Sequence, residues 1–193
     1  MNIKIKTILF LTVFLSATIT VKSQVYELSA SGNKVEITGT SSLHDWEMEV
    51  AKYTSGFRIV REGTALKKIE NVVFSSKASD IKSDNSIMNK KTQEALRANE
   101  FPEIKFAATT VSDLTQEGNS IKGTVKGKLT LAGQTHDISV PFNGTINEGK
   151  IEIKASSDLT FSGFGMEPPT AMLGTLKTGD KVKVTFNLIY NQK

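Results

Sequence analysis

The sequence predicts an all-β domain, an antiparallel up-and-down β-barrel with one short helix, and three observations predict it. Apolar and polar residues alternate along most of the chain, glycine-bearing turn signals separate the alternating runs, and a single segment breaks the pattern with a helical composition.

The alternation is that of strands with one buried face, because successive strand side chains point to opposite sides. Val35 and Ile37 alternate with Lys34, Glu36 and Thr38, and Trp46, Met48 and Val50 with Glu47 and Glu49. Ile104, Phe106 and Ala108 follow, then the longest run, Ile121, Gly123, Val125, Gly127, Leu129 and Leu131, set against Lys122, Thr124, Lys126, Lys128 and Thr130. His136, Ile138, Val140 and Phe142 make the next, then Ile151, Ile153 and Ala155, and last Val182, Val184, Phe186, Leu188 and Tyr190. Between them lie Ser31-Gly32-Asn33, Glu62-Gly63-Thr64, Glu117-Gly118-Asn119, Ala132-Gly133-Gln134, Asn147-Glu148-Gly149 and Thr178-Gly179-Asp180, each placing Gly beside a polar residue where a chain reverses. Short, regular spacing favours consecutive antiparallel pairing in a sandwich or a barrel. Gly123 and Gly127 on the inward side tilt the choice to a barrel, where such glycines mark bends or close approaches.

The exception is Asp84 to Ala98, with good helix formers and Asp84, Asn85 or Ser86 as candidate caps. It predicts a helix over roughly 86–98 that ends before Pro102. Its apolar stripe (Ile87, Met88, Ala95, Leu96) is thin, which suits a helix that lids or flanks the barrel. Phe161 to Thr178 is rich in Gly, Pro and apolar residues without strand periodicity, and reads either as an entrance cover or as a loop packed back on the barrel.

At the start, Lys4 and Lys6 precede an uncharged run from Thr7 to Val21, and Val21-Lys22-Ser23-Gln24 offers small residues at a cleavage site. That is the layout of a secretory signal peptide, assigned here to residues 1–23, with 24–193 as the barrel domain. Fifteen residues reach only about 22 Å as a helix, short of the roughly 30 Å of a bilayer core, so no stable membrane anchor is expected. Without Lys4, Lys6 and Lys22 the chain has 21 basic against 20 acidic residues, interspersed rather than clustered, which argues against a nucleic-acid partner. The chain has no cysteine, so thiol chemistry and cysteine zinc sites are excluded and the fold must rest on its core.

Catalytic parts are scarce. His44 and His136 are each followed by Asp, but neighbouring strand residues face opposite ways and cannot form a couple. Two histidines without a third ligand make a poor metal site, and no nucleophile or phosphate-binding motif is present, so neither enzyme activity nor a metal or cofactor is expected. The inward apolar residues fit either a filled barrel or a cavity, and periodicity alone leaves both open.

Four stretches carry a family resemblance: GTSSLHDWEMEV (Gly39–Val50), MNKKTQEALRANEFPEIKF (Met88–Phe106), GTVKGKLTLAGQTHDISVPF (Gly123–Phe142) and FGMEPPTAMLGTLKTGDKVKVTFNL (Phe164–Leu188). They resemble the YceI-like family, through the helix–acidic-aromatic turn–Pro motif at Asn99 to Phe106 and the G-x-L-T-x-x-G-x-T motif at Gly127, Leu129, Thr130, Gly133 and Thr135. The resemblance implies a lipocalin-like barrel, periplasmic, holding an isoprenoid-type lipid such as a quinone or polyprenyl phosphate in an apolar tunnel. Where many members have an Arg-Asp pair in the helix, this chain has Asn89, Lys90 and Lys91. The expected tunnel and mouth residues are Val35, Ile37, His44, Trp46, Met48, Phe106, Val125, Leu129, His136, Ile138, Val140, Phe161, Phe164 and Phe186, with a histidine orienting the polar end. The expected partner is thus an apolar lipid, and a homodimer is compatible with the reading. The alternative is a filled-barrel stress-response or interaction protein without a small ligand.

Overall fold

The computed structural model describes residues 21–171 and 174–193. The leader expected over residues 1–23 therefore lies largely outside the described residues, although Val21, Lys22 and Ser23 pair with Glu62, Arg61 and Val60 in the first strand. The elements run β1 (Val21–Leu28), β2 (Lys34–Ser41), β3 (Trp46–Val50), β4 (Tyr53–Glu62), β5 (Ala65–Lys77), β6 (Ile81–Lys82), α1 (Ser86–Ala95), β7 (Glu103–Glu117), β8 (Ser120–Leu131), β9 (Gln134–Asn147), β10 (Lys150–Thr160), β11 (Thr170–Ala171) and β12 (Leu176–Gln192). All pairings are antiparallel. The order β1-β4-β5-β7-β8-β9-β10-β12, with β12 returning to β1, closes an eight-stranded ring. At its other end β12 carries β2, β3 and β6 instead. The fold is the antiparallel barrel that the alternation predicts.

Five strands escape the sequence reading for physical reasons: β6 and β11 are two residues each, too short to alternate. β1 overlaps the leader. β4 and β5 lose the period of two at bulges near Gly56/Arg58 and Val60/Arg61, so the inward residues of β5 are Leu66, Ile69, Val72, Phe74 and Ser76 rather than every second one. Asn71 takes a left-handed φ of 53° at one of these bulges. The Thr178-Gly179-Asp180 signal, read as a reversal, is instead a bulge inside β12, which starts at Leu176.

The helix is capped by Asn85, whose side chain accepts from the N–H groups of Ile87 and Met88. It ends at Ala95, three residues before the expected end, because Arg97 turns left-handed at φ 51° and its carbonyl takes the N–H of Phe101. Leu96 is buried while Ile87 is exposed, so the apolar stripe is thinner than expected. Asn89 ties the helix to the preceding loop, since its Oδ1 accepts from Ser83 N–H at 2.7 Å and its Nδ2 donates to Ser83 O at 2.9 Å.

Gly127 marks the tightest bend. It faces a bulge in β7 between Ala108 and Thr110, and a Cβ there would lie 2.4 Å from the Ala107 carbonyl oxygen and 2.7 Å from the Phe106 ring. A side chain can enter only if backbone moves. Gly127→Ala is expected to destabilise the fold by about 1–3 kcal/mol, as overpacked positions do. Chemical denaturation of the two proteins checks this.

Candidate functional site: a blind apolar cavity

The bore is filled at one end and hollow at the other. Where β1 completes the ring, Ile59 and Ile151 are fully buried and Tyr26 and Ile121 nearly so. Tyr26 stacks on Phe57 at 5.6 Å between ring centroids, and Phe57 meets Tyr190 edge-on at 4.7 Å. This aromatic group is the floor. Above it lies a cavity of about 250 Å³, at the small end of ligand sites. Along β12 its wall runs from Val182 to Tyr190, which at about 3.4 Å per residue and a tilt near 40° is roughly 20 Å of barrel axis.

The wall is almost wholly hydrocarbon, and no charged side chain lines it among the described residues. Twelve of the expected residues meet there: Val35, Ile37, Trp46, Met48, Phe106, Val125, Leu129, Ile138, Val140, Phe161, Phe164 and Phe186. Strand alternation brings ten of them together, and the turn after β10 adds Phe161 and Phe164. Trp46 lies flat over Gly39, where a Cβ would come within 2.3 Å of the indole, and its Nε1 donates to the Thr40 carbonyl at 3.0 Å. From above, Thr92 and Leu96 of the helical segment reach the cavity.

The two histidines do not line it. His44 is exposed on the β2–β3 loop, where Ser41 Oγ accepts from the N–H groups of Leu43 and His44 and the His44 ring bonds the Asp45 carbonyl. His136 is also exposed, but it stands at the rim with its ring 4.8 Å from that of Phe164, which does line the cavity. His136 lies near a strand end and His44 in a loop, where the alternation no longer fixes which side chain is enclosed. Conversely, sequence reasoning missed Ser55, Phe57, Ile69, Val72 and Phe74, all lining residues on the bulged strands β4 and β5. Phe74 crosses the bore to meet Phe186 edge-on at 5.8 Å.

The polar atoms in the wall are hydroxyls. Ser55 Oγ lies 2.8 Å from the Val73 carbonyl oxygen and 2.8 Å from the Tyr190 hydroxyl. A carbonyl can only accept, so Ser55 donates to Val73 and Tyr190 donates to Ser55. Burial pushes the Tyr190 phenol up to about 12, partly opposed by its bond to Ser55. A second depression, about 370 Å³, lies among polar residues including Lys122, Asn143, Glu152 and Lys154. Charged and polar side chains line much of it, whereas the barrel cavity is lined almost wholly by apolar ones. Among the described residues no three His, Asp or Glu converge as a metal site, and no helix is long and apolar enough to cross a membrane.

A family model for the YceI-like domain matches residues 18–190. The chain belongs to the YceI-like family. No curated protein matches it by sequence. Among solved structures, a polyisoprenoid-binding domain from Saccharophagus degradans, implicated in plant cell wall breakdown, superposes with a TM-score of 0.68 at 14% identity, covering 87% of this chain and 98% of that one. Burkholderia cenocepacia BcnA gives 0.66 at 16%, covering 84% and 98%. The Campylobacter jejuni YceI protein gives 0.58 at 16%, covering 99% of each. At these identities the likeness is one of fold. Its YceI-like motifs have structural work in this chain. Phe101 of the acidic-aromatic turn lies against Gly133 in the β8–β9 turn, where a Cβ would be 2.7 Å from its ring, and Arg97 caps the ring's other side at 4.6 Å.

Because the fold holds Tyr190 neutral, the stabilisation is present below the ordinary phenol value near 10 and is lost as pH rises from about 10 to about 12. The loss should approach about 2–3 kcal/mol. Tyr190→Phe should remove this part of the alkaline decline and leave the part due to Tyr53, also raised by burial and by Glu49. Denaturation midpoints between pH 9 and pH 12 measure it.

Proposed function

We propose that this YceI-like protein is an exported carrier that holds the hydrocarbon chain of an isoprenoid-type lipid in its barrel, in the periplasm. The observation that carries the reading is the cavity without a charged lining residue among the described residues, walled by Val, Ile, Leu, Met and aromatic side chains. Such a wall gains about 0.8 kcal/mol for each methylene taken from water and has no charge to hold a polar solute. A roughly 20 Å bore matches a chain of about four isoprene units, each about 5 Å long from carbon–carbon bond geometry. The Saccharophagus domain, a polyisoprenoid binder by description, supports the same ligand class through its shared fold. The charged leader segment supports export. With no charge in the wall, the polar end of the lipid sits at the mouth, where water and rim side chains meet it.

The single tryptophan gives the test, because Trp46 lies in the wall. All-trans-retinol, a diterpenoid whose absorption overlaps tryptophan emission, should quench Trp46 saturably at about one molecule per chain. Organic extracts of the purified protein should contain an isoprenoid by mass spectrometry. Val125→Glu, mid-wall between Val111 and Val140, should fold and abolish quenching. Absence of both the extracted lipid and the quenching in the unmodified protein would overturn the reading.

A further inference from the structure

The barrel wall is parted beside the cavity. β9 and β10 pair from Lys150↔Asn147 to Ala155↔Phe142 and no further. Beyond that point β9 pairs only with β8, and β10 only with β12. Pro141, with no N–H to offer, stands where they separate. The side chains along this notch, Ile138 and Val140 on one edge and Ser157 and Leu159 on the other, all line the cavity. A second parting, between β5 and β7 below Val73↔Ala107, is also flanked by lining residues, Ile69 and Val72, but it is bridged. There the Gln116 carboxamide spans the strands, accepting from Leu66 N–H at 2.8 Å.

What covers the notch is the strap from Phe161 to Met166, which leaves the end of β10. Phe164 is only 5% exposed, though Ser162, Gly163 and Gly165 around it are all exposed. Its ring is held edge-on against His136 of β9. Polar bonds fix the strap from the opposite side. Ser162 gives both its N–H, at 2.8 Å, and its hydroxyl, at 2.6 Å, to the carboxylate of Asp180, which sits in the β12 bulge. Gly163 N–H donates to Thr160 Oγ1 at 3.1 Å. Phe161 N–H also donates to the Asp180 carbonyl at 3.0 Å, which anchors the start of the strap to β12. Between the strap and β9 the contact is one of side chains rather than a strand ladder, so that side opens without breaking the sheet.

We propose that the notch between β9 and β10 is the entrance of the cavity, with Phe164 as its stopper, His136 as the seat of the stopper and Asp180 as the latch. The chain class is the apolar lipid chain of the preceding section, and the inference rests on that reading. His136 thereby acts on the stopper rather than on the ligand.

Retinol binding followed by stopped-flow quenching of Trp46 tests the entrance. The chain lacks cysteine, so Ser162→Cys with Asp180→Cys installs a lone disulfide across the latch. Oxidation should slow association and dissociation by roughly tenfold or more, and reduction should restore both. Phe164→Ala and Asp180→Ala, which need no cross-link to form, should each speed both rates several-fold. Unchanged rates in the oxidised form, or in both alanine variants, with binding itself intact, would overturn the entrance and leave the cavity reading standing. Failure of the unmodified protein to bind retinol or to yield an extracted isoprenoid would overturn both.

Discussion

The bore takes its shape from how β12 shares its two edges. One edge pairs with β10 from Thr160↔Lys181 to Lys150↔Asn191. The other pairs with β2 up to Asn187 and then passes to β1 over Leu28↔Tyr190 to Tyr26↔Gln192. A strand of seventeen residues can serve two partners in succession because each needs only part of its length. Without the handover the ring would have a free edge, exposing the unpaired N–H and C=O groups that invite association.

The handover also explains why one barrel is both filled and hollow. Where β1 closes the ring, eight strands bring Tyr26, Phe57, Ile59, Ile151 and Tyr190 within packing distance, and an eight-stranded bore is just wide enough for side chains to fill it. Where β12 carries β2, β3 and β6 instead, the wall is completed by a short sheet and the helical segment. There Thr92 reaches Met48 and Ala78 N–H bonds the Pro102 carbonyl. The cavity lies at that end, lined by Val35 and Ile37 of β2, Trp46, Met48 and Val50 of β3, and Ile81 of β6.

The alternation was legible wherever a strand ran unbulged beside its neighbours, which is why the wall residues of β2, β3, β8 and β12 could be read from their spacing. It failed at bulges and ends. Ile69 and Val72 are three apart yet share a face, because Asn71 is extra, and no pattern of period two registers them. His136 continues the inward set of Ile138 and Val140 by spacing, but it lies two residues beyond the last enclosed position, where the strand has run past the rim. Whether the barrel was hollow was not legible, since composition of a wall and of a core is the same. It depends on distances across the bore, and those are set by the long-range pairings of β12.

Size matters in that choice. Side chains that stop short of a space of about 250 Å³ leave packing contacts unmade, and unmade core contacts lower stability. Larger side chains would restore part of them, since Ser55, Ser76, Ala155 and Ser157 line the cavity among mostly larger residues. Their neighbours show that the chain packs tightly when packing is the object: Ile151, on the same strand as Ala155 and Ser157, is fully buried in the filled end. Ala155 and Ser157, set between Ile151 and Leu159 on a single strand, leave a space for a molecule that returns the missing contacts when it binds.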